Sequence, residues 1–146
     1  MTITTTDGTK TASATKNANG HTLSTTDNGG TVTNAYYANG NLKTATYDGT
    51  VVSMEYDGWG RKIKLTDPSA GVYQYEYNIF GETTKEITPN GTTIYSLNSV
   101  GKPTYSSHSG QNTHQNTDYY YDPVSKLPTM IESYDTYTGE PYATIY

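Results

Sequence analysis

The histidines are the side chains in this sequence best suited to bind a metal, but their surroundings do not favour a site. His108 and His114 lie in a polar stretch, SSHSGQNTHQN, and His21 is far from both along the chain. A metal site needs converging ligands and supporting hydrogen bonds, and no acidic cluster accompanies this stretch. Cysteine is absent, so thiolate ligands, thiol nucleophiles and disulfides are absent too. We therefore predict surface-loop histidines, with no metal and no cofactor.

Carboxylates and hydroxyl groups give no catalytic pattern either. Most aspartates occupy turn positions, where their side chains are expected to bond to the local backbone. The sequence has no serine-nucleophile motif, and it has no glycine-rich loop that leads into a helix and could bind phosphate. The stretch TDNGGT lacks the spaced carboxylates of a calcium loop. We predict no catalytic residues and no enzymatic activity.

Tyrosine and threonine rows are the remaining features that could bind a ligand. The chain has 16 tyrosines, whose rings could hold sugars or quaternary ammonium groups. Repeats that bind choline or glucans typically use paired tryptophans, whereas this chain has Trp59 alone. The alternative to ligand binding is that Tyr73, Tyr75 and Tyr77 form the buried face of a sheet. A carbohydrate-binding adhesin module with exposed tyrosine rows is therefore our second functional hypothesis.

A threonine pair raises the question of ice binding. Thr31 and Thr33 flank a valine in a Thr-x-Thr pattern, which is typical of flat ice-binding arrays. The same pattern does not recur in each unit of the sequence, so ice binding is not predicted here.

The positions of these side chains follow from an internal repeat of about 20 residues. Turn glycines recur at steps of 20 or 21, and Ser125 stands where the next glycine is expected. A tyrosine stands four residues before most of these turn positions, and an asparagine or aspartate usually stands three before. The repeat positions to which we assign a structural role are Gly20, Gly40, Gly60, Gly81, Gly101, Tyr36, Tyr56, Tyr77, Tyr121, Asp57 and Asp122.

Alternation within the repeat predicts strands. In VYQYEY the tyrosines at 73, 75 and 77 face one way and the intervening residues face the other. Asx-Gly pairs between such runs are strong hairpin signals. We predict an all-β fold of tandem antiparallel β-hairpins forming a curved or spiralling sheet strip. It forms a single segment, 1–146, of about six units of 20–24 residues, with an atypical end at 126–146.

Charge and hydropathy exclude several partner classes. The formal net charge is −5, and nine lysines and arginines are spread along the chain, which argues against nucleic acid binding. The longest apolar runs are two or three residues, far short of the roughly 20 needed to cross a bilayer. The first 20 residues have neither the charged start nor the apolar stretch of a signal peptide.

The stretch YDGWGRKIKLTDPSAGVYQYEYNIFGETTKEITPNG resembles the YD repeat of the RHS family. That pattern is tyrosine-aspartate, two residues, glycine, often arginine, then a strand that ends near Asp and Gly. The positions that match it are Tyr56, Asp57, Gly60, Arg61, Asp67 and Gly71. The following unit departs from it, with Asn78 for the aspartate and Glu82 for the arginine.

The resemblance implies a β-sheet ribbon that spirals into a hollow shell. Such shells occur in bacterial polymorphic toxins, insecticidal toxin complexes and wall-associated proteins, where they enclose or carry a toxic domain. The implied role is a non-enzymatic stretch of wall in a large bacterial protein that is secreted or on the cell surface. The implied partners are neighbouring repeats, other copies joined by edge-strand pairing, and an encapsulated toxin domain, while the adhesin alternative implies a glycan. No segment matches the aspartate-protease-like core of self-cleaving family members.

Overall fold

The computed structural model describes residues 1–136, 138 and 141–145, the last range as backbone only. The described residues form β-strands joined by tight turns, with no helix among them. Contacts within the chain group into two compact units, Met1–Val72 and Tyr73–Tyr146, and each is described by itself.

Seven strands lie in the first unit: β1 (Thr2–Asp7), β2 (Lys10–Lys16), β3 (Thr22–Asp27), β4 (Gly30–Tyr36), β5 (Leu42–Tyr47), β6 (Thr50–Tyr56) and β7 (Lys62–Asp67). Strand β8 (Gly71–Tyr77) begins at the end of that unit. The second unit continues with β9 (Thr83–Thr88), β10 (Gly91–Leu97), β11 (Pro103–Gly110), β12 (His114–Tyr121), β13 (Pro128–Asp135) and β14 (Pro141–Ile145).

Within each unit, every strand pairs antiparallel with the strands next to it in sequence. This order follows from the short connections, because turns of two to six residues bring consecutive strands side by side and antiparallel. The predicted fold class, all-β with tandem antiparallel hairpins, is confirmed.

The turn between β5 and β6 shows how sequence sets the short reversals. Tyr47 pairs with Thr50, so only Asp48 and Gly49 lie in the loop. Both have positive φ, at 47° and 75°, as the type I′ turn requires. Asp tolerates this conformation better than most L-residues and Gly adopts it without a steric penalty, so the pair Asp-Gly specifies the hairpin.

The units have no conventional hydrophobic core. Among the described residues, no apolar side chain is buried, and Ser106 is the one buried polar residue. In β8, Tyr73, Tyr75 and Tyr77 are half-buried whereas Val72 is exposed. The tyrosines therefore lie on the better-covered face of the sheet, and much of the stability must come from backbone pairing and turns.

The prediction that the histidines lie in surface loops is wrong for His108 and His114. His108 lies within β11 and His114 within β12, not in a surface loop, because the hairpin between these strands closes later than the polar sequence indicates. Nδ1 of His108 is 2.9 Å from Oγ1 of Thr93 on β10. His21 is half-buried and stacks on Tyr36, with 4.8 Å between ring centroids.

The last long turn also differs from expectation. Ser125 was expected at the glycine position, but Lys126 has the positive φ, 60°. The turn holds one more residue than its counterparts, since the amide of Asp122 bonds the carbonyl of Leu127. Of the segment predicted to be atypical, β13 and β14 are regular strands, and residues 137, 139, 140 and 146 lie outside the described residues.

This turn gives a stability test. Replacing Lys126 with Gly should stabilise the chain by about 0.5–1 kcal/mol, because a long side chain in the left-handed region costs about 1–2 kcal/mol and Gly carries a smaller entropic cost. Chemical denaturation would measure the change. The matched control, Ser125→Gly, should not stabilise, and a larger gain in the control would contradict the assignment of Lys126 to the glycine position.

Candidate functional site

The candidate site is a set of five-residue turns that recur once per repeat, called here the Asx–Gly turns: 17–21, 37–41, 57–61, 78–82 and 98–102. Two backbone hydrogen bonds close each turn. The amide of the first residue donates to the carbonyl of the fifth, and the amide of the fourth, a glycine, donates to the carbonyl of the first, at 2.8–3.1 Å. The glycines have φ between 77° and 89°: Gly20, Gly40, Gly60, Gly81 and Gly101. Most L-residues avoid this region, which explains the period of the glycines.

The first side chain of the turn acts as a local cap. In the turn 57–61, Oδ1 of Asp57 accepts hydrogen bonds from the amides of Trp59 and Arg61, each at 2.9 Å. Asn17, Asn78 and Asn98 do the same in their own turns. Two amides that a strand cannot pair are thereby satisfied, which is why Asn or Asp precedes the glycine by three residues.

The turn 37–41 lacks this cap because its first residue is Tyr37. Asn39 partly replaces it, since its Oδ1 accepts from the amide of Asn41 at 3.1 Å. The Tyr37 ring instead packs edge-on against Tyr56, with centroids 5.9 Å apart. Its hydroxyl donates to the carbonyl of Met54 at 3.1 Å.

Asp57 has a second role through its other oxygen. Nε of Arg61 donates to Oδ2 at 2.6 Å, so the carboxylate both caps the turn and forms an ion pair. Partial burial raises the pKa of Asp57, but the hydrogen bonds and charge of Arg61, with the amide of Trp59, outweigh it and lower the pKa below its ordinary value. The Asp-x-x-Gly-Arg part of the motif is thus one electrostatic unit.

Asp122 caps the longer last turn in a similar way. Its Oδ1 accepts from the amides of Val124 and Ser125, at 3.0 and 2.5 Å. The hydrogen bonds from Ser125, followed by that from Val124, lower the pKa of Asp122.

The repeat tyrosines bond to carbonyls next to the turns. The hydroxyl of Tyr36 donates to the carbonyl of Thr22 at 2.8 Å, and that of Tyr121 donates to the carbonyl of Pro103 at 2.9 Å. In both cases the acceptor follows the turn glycine of the preceding repeat by two residues, beyond the end of the strand pairing. Burial, then the charge of Tyr119, raises the pKa of Tyr121.

Of the other two repeat tyrosines, Tyr56 makes a different contact. Tyr56 lies against the Tyr37 ring and points its hydroxyl at the Met54 sulfur, 3.7 Å away. Tyr77 is half-buried at the end of β8. Tyr56 thus shares the repeat position of Tyr36 and Tyr121 but not their hydrogen-bonding role.

Sequence reasoning missed the residue that follows each turn glycine. A Cβ placed on Gly40 would lie 3.2 Å from the His21 ring, and one on Gly101 would overlap the Glu82 carboxylate. Asn41 lies against Gly60 in the same way, 3.4 Å from its Cβ position. These turn glycines therefore adopt the positive φ that the turn requires. Each also leaves a space, called here the glycine seat, that the side chain from the preceding repeat occupies.

Lys102 makes a comparable contact with the last turn, 122–127, which has no glycine. Its Nζ donates to the carbonyl of Lys126 at 2.5 Å and lies 5.1 Å from the centroid of the Tyr121 ring. The sequence signal for these contacts was a long polar side chain directly after each glycine, and only the strand register shows that it reaches the next turn.

The tyrosines do not form an exposed row. Among the described residues, the exposed tyrosines are Tyr37, Tyr47 and Tyr120, and they lie on different strands and turns. Tyr47 donates to the carbonyl of Gly29 at 2.6 Å, and Tyr120 donates to Glu132 at 3.0 Å. Hydrogen bonding to Glu132, followed by burial, raises the pKa of Tyr120.

Neither a metal cluster nor a membrane-spanning helix is found among the described residues. They contain no group of three or more His, Cys, Asp or Glu side chains placed to hold a metal ion. They also contain no helix with the length and hydropathy of a membrane span.

Comparison with known proteins identifies the central repeat. Residues 36–72 match the family model named RHS Repeat. This stretch is similar to an RHS repeat. The match includes two Asx–Gly turns, 37–41 and 57–61, together with Tyr36, Tyr56, Asp57 and Arg61. The predicted resemblance is therefore confirmed. No curated protein matches the chain.

Solved structures show the same fold. The chain is similar to part of the crystal structure of TcdB2-TccC3 without the hypervariable C-terminal region, with a TM-score of 0.54 and 18% identity. It is also similar to part of TcdB2-TccC3-Cdc42, with a TM-score of 0.53 and 19% identity. Each likeness covers 93% of this chain and 10% of the other, so the chain spans about a tenth of those structures' length.

The glycine seats can be tested by a double-mutant cycle. Gly20→Ala should cost about 1–2 kcal/mol for its backbone conformation alone, because its Cβ position is open. Gly101→Ala should cost more, since the new methyl group must also displace the Glu82 side chain. Chemical denaturation would measure both free energies of unfolding. Adding Glu82→Ala to Gly101→Ala should recover the excess, and simple additivity of the two changes would argue against the seat.

The Asp57 pair predicts an acid sensitivity. The folded state lowers the pKa of Asp57 below 3.8, so its stabilisation is present above that pH and is lost as the pH falls through the folded-state pKa. The denaturation midpoint should therefore drop as the pH falls past 3.8 and through the lower folded-state pKa. Asp57→Asn keeps the Oδ1 acceptor but cannot ionise, so its pH profile should be flatter. A profile as steep as that of the wild type would rule out this contribution.

Proposed function

We propose that the chain is a non-enzymatic structural segment, one stretch of the β-sheet wall of a larger RHS protein that is secreted or on the cell surface. The observation that carries the proposal is the contact pattern of the Asx–Gly turns. A side chain of one turn occupies the glycine seat of the next, as His21 does at Gly40 and Glu82 does at Gly101. Such contacts join neighbouring repeats within each unit and suit an extended wall more than a closed domain.

The burial pattern supports the same role. No apolar side chain is buried among the described residues, and this thin packing suits a wall better than a cleft in which titratable groups converge. Within each unit, backbone pairing runs from strand to adjacent strand, which leaves few gaps through which water or a protease could pass. We propose that the larger protein uses this wall to enclose or carry a toxic cargo domain.

Edge pairing is the second part of the proposal. All six residues of β1 are exposed, and the strand pairs with β2 alone, which leaves one row of backbone donors and acceptors unpaired. Such an edge is a template for another strand. We propose that this edge pairs with a neighbouring repeat or with another copy of the chain.

Tandem arrays would test the wall. Copies of residues 21–101 can be joined from Gly101 of one copy to His21 of the next. Every junction then rebuilds an Asx–Gly turn, because His21 follows a turn glycine there as it follows Gly20 in the chain. The thermal unfolding temperature should rise with the number of copies, since each added copy brings new neighbour contacts. A matched control array with Gly101→Ala at each junction should lose most of that rise.

Cargo protection is the functional readout. A protease-sensitive reporter domain fused after a long array should be digested more slowly than the same reporter fused after the control array. Equal digestion of both, with the arrays folded, would contradict enclosure. Specific glycan binding that is lost on Tyr37→Ala or Tyr47→Ala would favour the adhesin hypothesis instead.

A further inference from the structure

An open cleft lies beside two successive Asx–Gly turns of the first unit, 37–41 and 57–61, and is called here the tyrosine cleft. Its volume is about 430 Å³. The residues that line it are Tyr37, Ala38, Asn39, Glu55, Tyr56 and Asp57. Small-molecule sites have volumes of this size, and they combine aromatic walls with a few polar groups. The cleft is therefore large enough for a small ligand and has walls of a suitable kind.

Two tyrosine rings form adjoining walls of the cleft. The rings of Tyr37 and Tyr56 meet at 85°, with 5.9 Å between their centroids. Both hydroxyls are directed at Met54: that of Tyr37 donates to its carbonyl at 3.1 Å, and that of Tyr56 lies 3.7 Å from its sulfur. Because the hydroxyls are engaged there, the rings offer π surface to a ligand rather than hydrogen bonds.

The charged groups that line the cleft are carboxylates. Glu55 and Asp57 supply them, and the described lining residues include no lysine or arginine. Asp57 is paired with Arg61, whereas Glu55 is exposed and one of its oxygens lies 3.3 Å from Nζ of Lys64. Such exposed pairs are weak, so the Glu55 carboxylate can also attract a cation within the cleft.

The Tyr37 ring departs from the chemistry of the repeat. In the other Asx–Gly turns the first residue is Asn or Asp, and its side-chain oxygen caps two backbone amides. Tyr37 cannot provide this cap, and Asn39 replaces only one of its two hydrogen bonds. The ring is nevertheless exposed, so burial does not compensate for the loss. Local rules of this kind are broken mainly at functional sites.

A cation already approaches this ring. Nζ of Lys43 lies 5.6 Å from the centroid of Tyr37, within the range of a cation–π interaction. The electron-rich surface of Tyr37 is thus accessible to positive charge from solvent.

We propose that the tyrosine cleft binds a trimethylammonium group, such as that of choline. Aromatic faces attract quaternary ammonium groups, which carry a positive charge but have no hydrogen to donate. Such a group suits two rings whose hydroxyls are engaged elsewhere, with the Glu55 carboxylate beside them. A neutral sugar would gain less, because the tyrosine hydroxyls are directed at Met54 and away from its own hydroxyl groups.

Restoring the repeat residue gives the main test. Tyr37→Asn supplies the missing cap, so it should be at least as stable as the wild type while it removes one wall of the cleft. Choline titrations of the full chain, followed by NMR of the backbone amides, should show binding with the largest shift changes at residues 37–39 and 55–57. Tyr37→Asn should weaken this binding roughly tenfold or more. The matched control, Tyr120→Asn, removes an exposed ring from the second unit and should leave the affinity unchanged.

The neutral isostere of choline, in which carbon replaces the nitrogen, tests the role of charge. It has nearly the same shape, so it should bind roughly tenfold more weakly than choline if the rings attract a cation. Glu55→Gln should weaken the binding of choline and leave that of the isostere unchanged. Sedimentation with phosphatidylcholine vesicles but not with phosphatidylglycerol vesicles would assign the group to a lipid headgroup, and binding of free choline alone would assign it to a soluble ligand.

Three results would overturn the proposal, provided that circular dichroism verifies the fold of each protein. They are no choline binding by the wild type, equal affinities for choline and its neutral isostere, and undiminished binding by Tyr37→Asn. Binding of neutral sugars without any binding of choline would also overturn it and would assign the cleft to a glycan.

Discussion

The Asx–Gly turn is the constraint on which the rest of the structure depends. Each turn has a glycine that adopts a positive φ, and all but the turn 37–41 also have a carboxylate or amide oxygen that caps two backbone amides, as Gly60 and Asp57 do. These two features fix where the chain reverses and therefore which residues of successive strands lie opposite one another. In units without a buried apolar core, such local hydrogen bonds provide order that hydrophobic burial would provide elsewhere.

Contacts between successive turns convert these local reversals into a growing structure. The glycine that permits the turn also leaves a space, and the side chain from the preceding turn fills it, as Glu82 does at Gly101. One residue type thus meets a backbone requirement and a packing requirement together. This coupling between nearest neighbours is the physical basis of a repeat protein, in which each unit is stabilised mainly by the units beside it.

The two faces of the first unit serve different physical ends. One carries the tyrosines, whose rings cover the sheet and whose hydroxyls satisfy carbonyls beyond the strand pairing, as Tyr36 does for Thr22. The other carries threonine and serine in register. A strand must present alternate residues to opposite faces, so a single sequence can encode both surfaces without compromise between them.

The sequence by itself determined the fold class, the 20-residue period and the relationship to RHS repeats, because all three depend on local rules. Alternation sets the strands and Asx-Gly pairs set the reversals, both within a few residues. The sequence did not determine which residues meet across strands. The seat that Gly40 forms for His21, the strand location of His108 and the place of Lys126 in the last turn depend on register and loop length. A single added residue, as in the turn 122–127, moves the left-handed position without changing the motif around it, so tertiary structure alone decides these contacts.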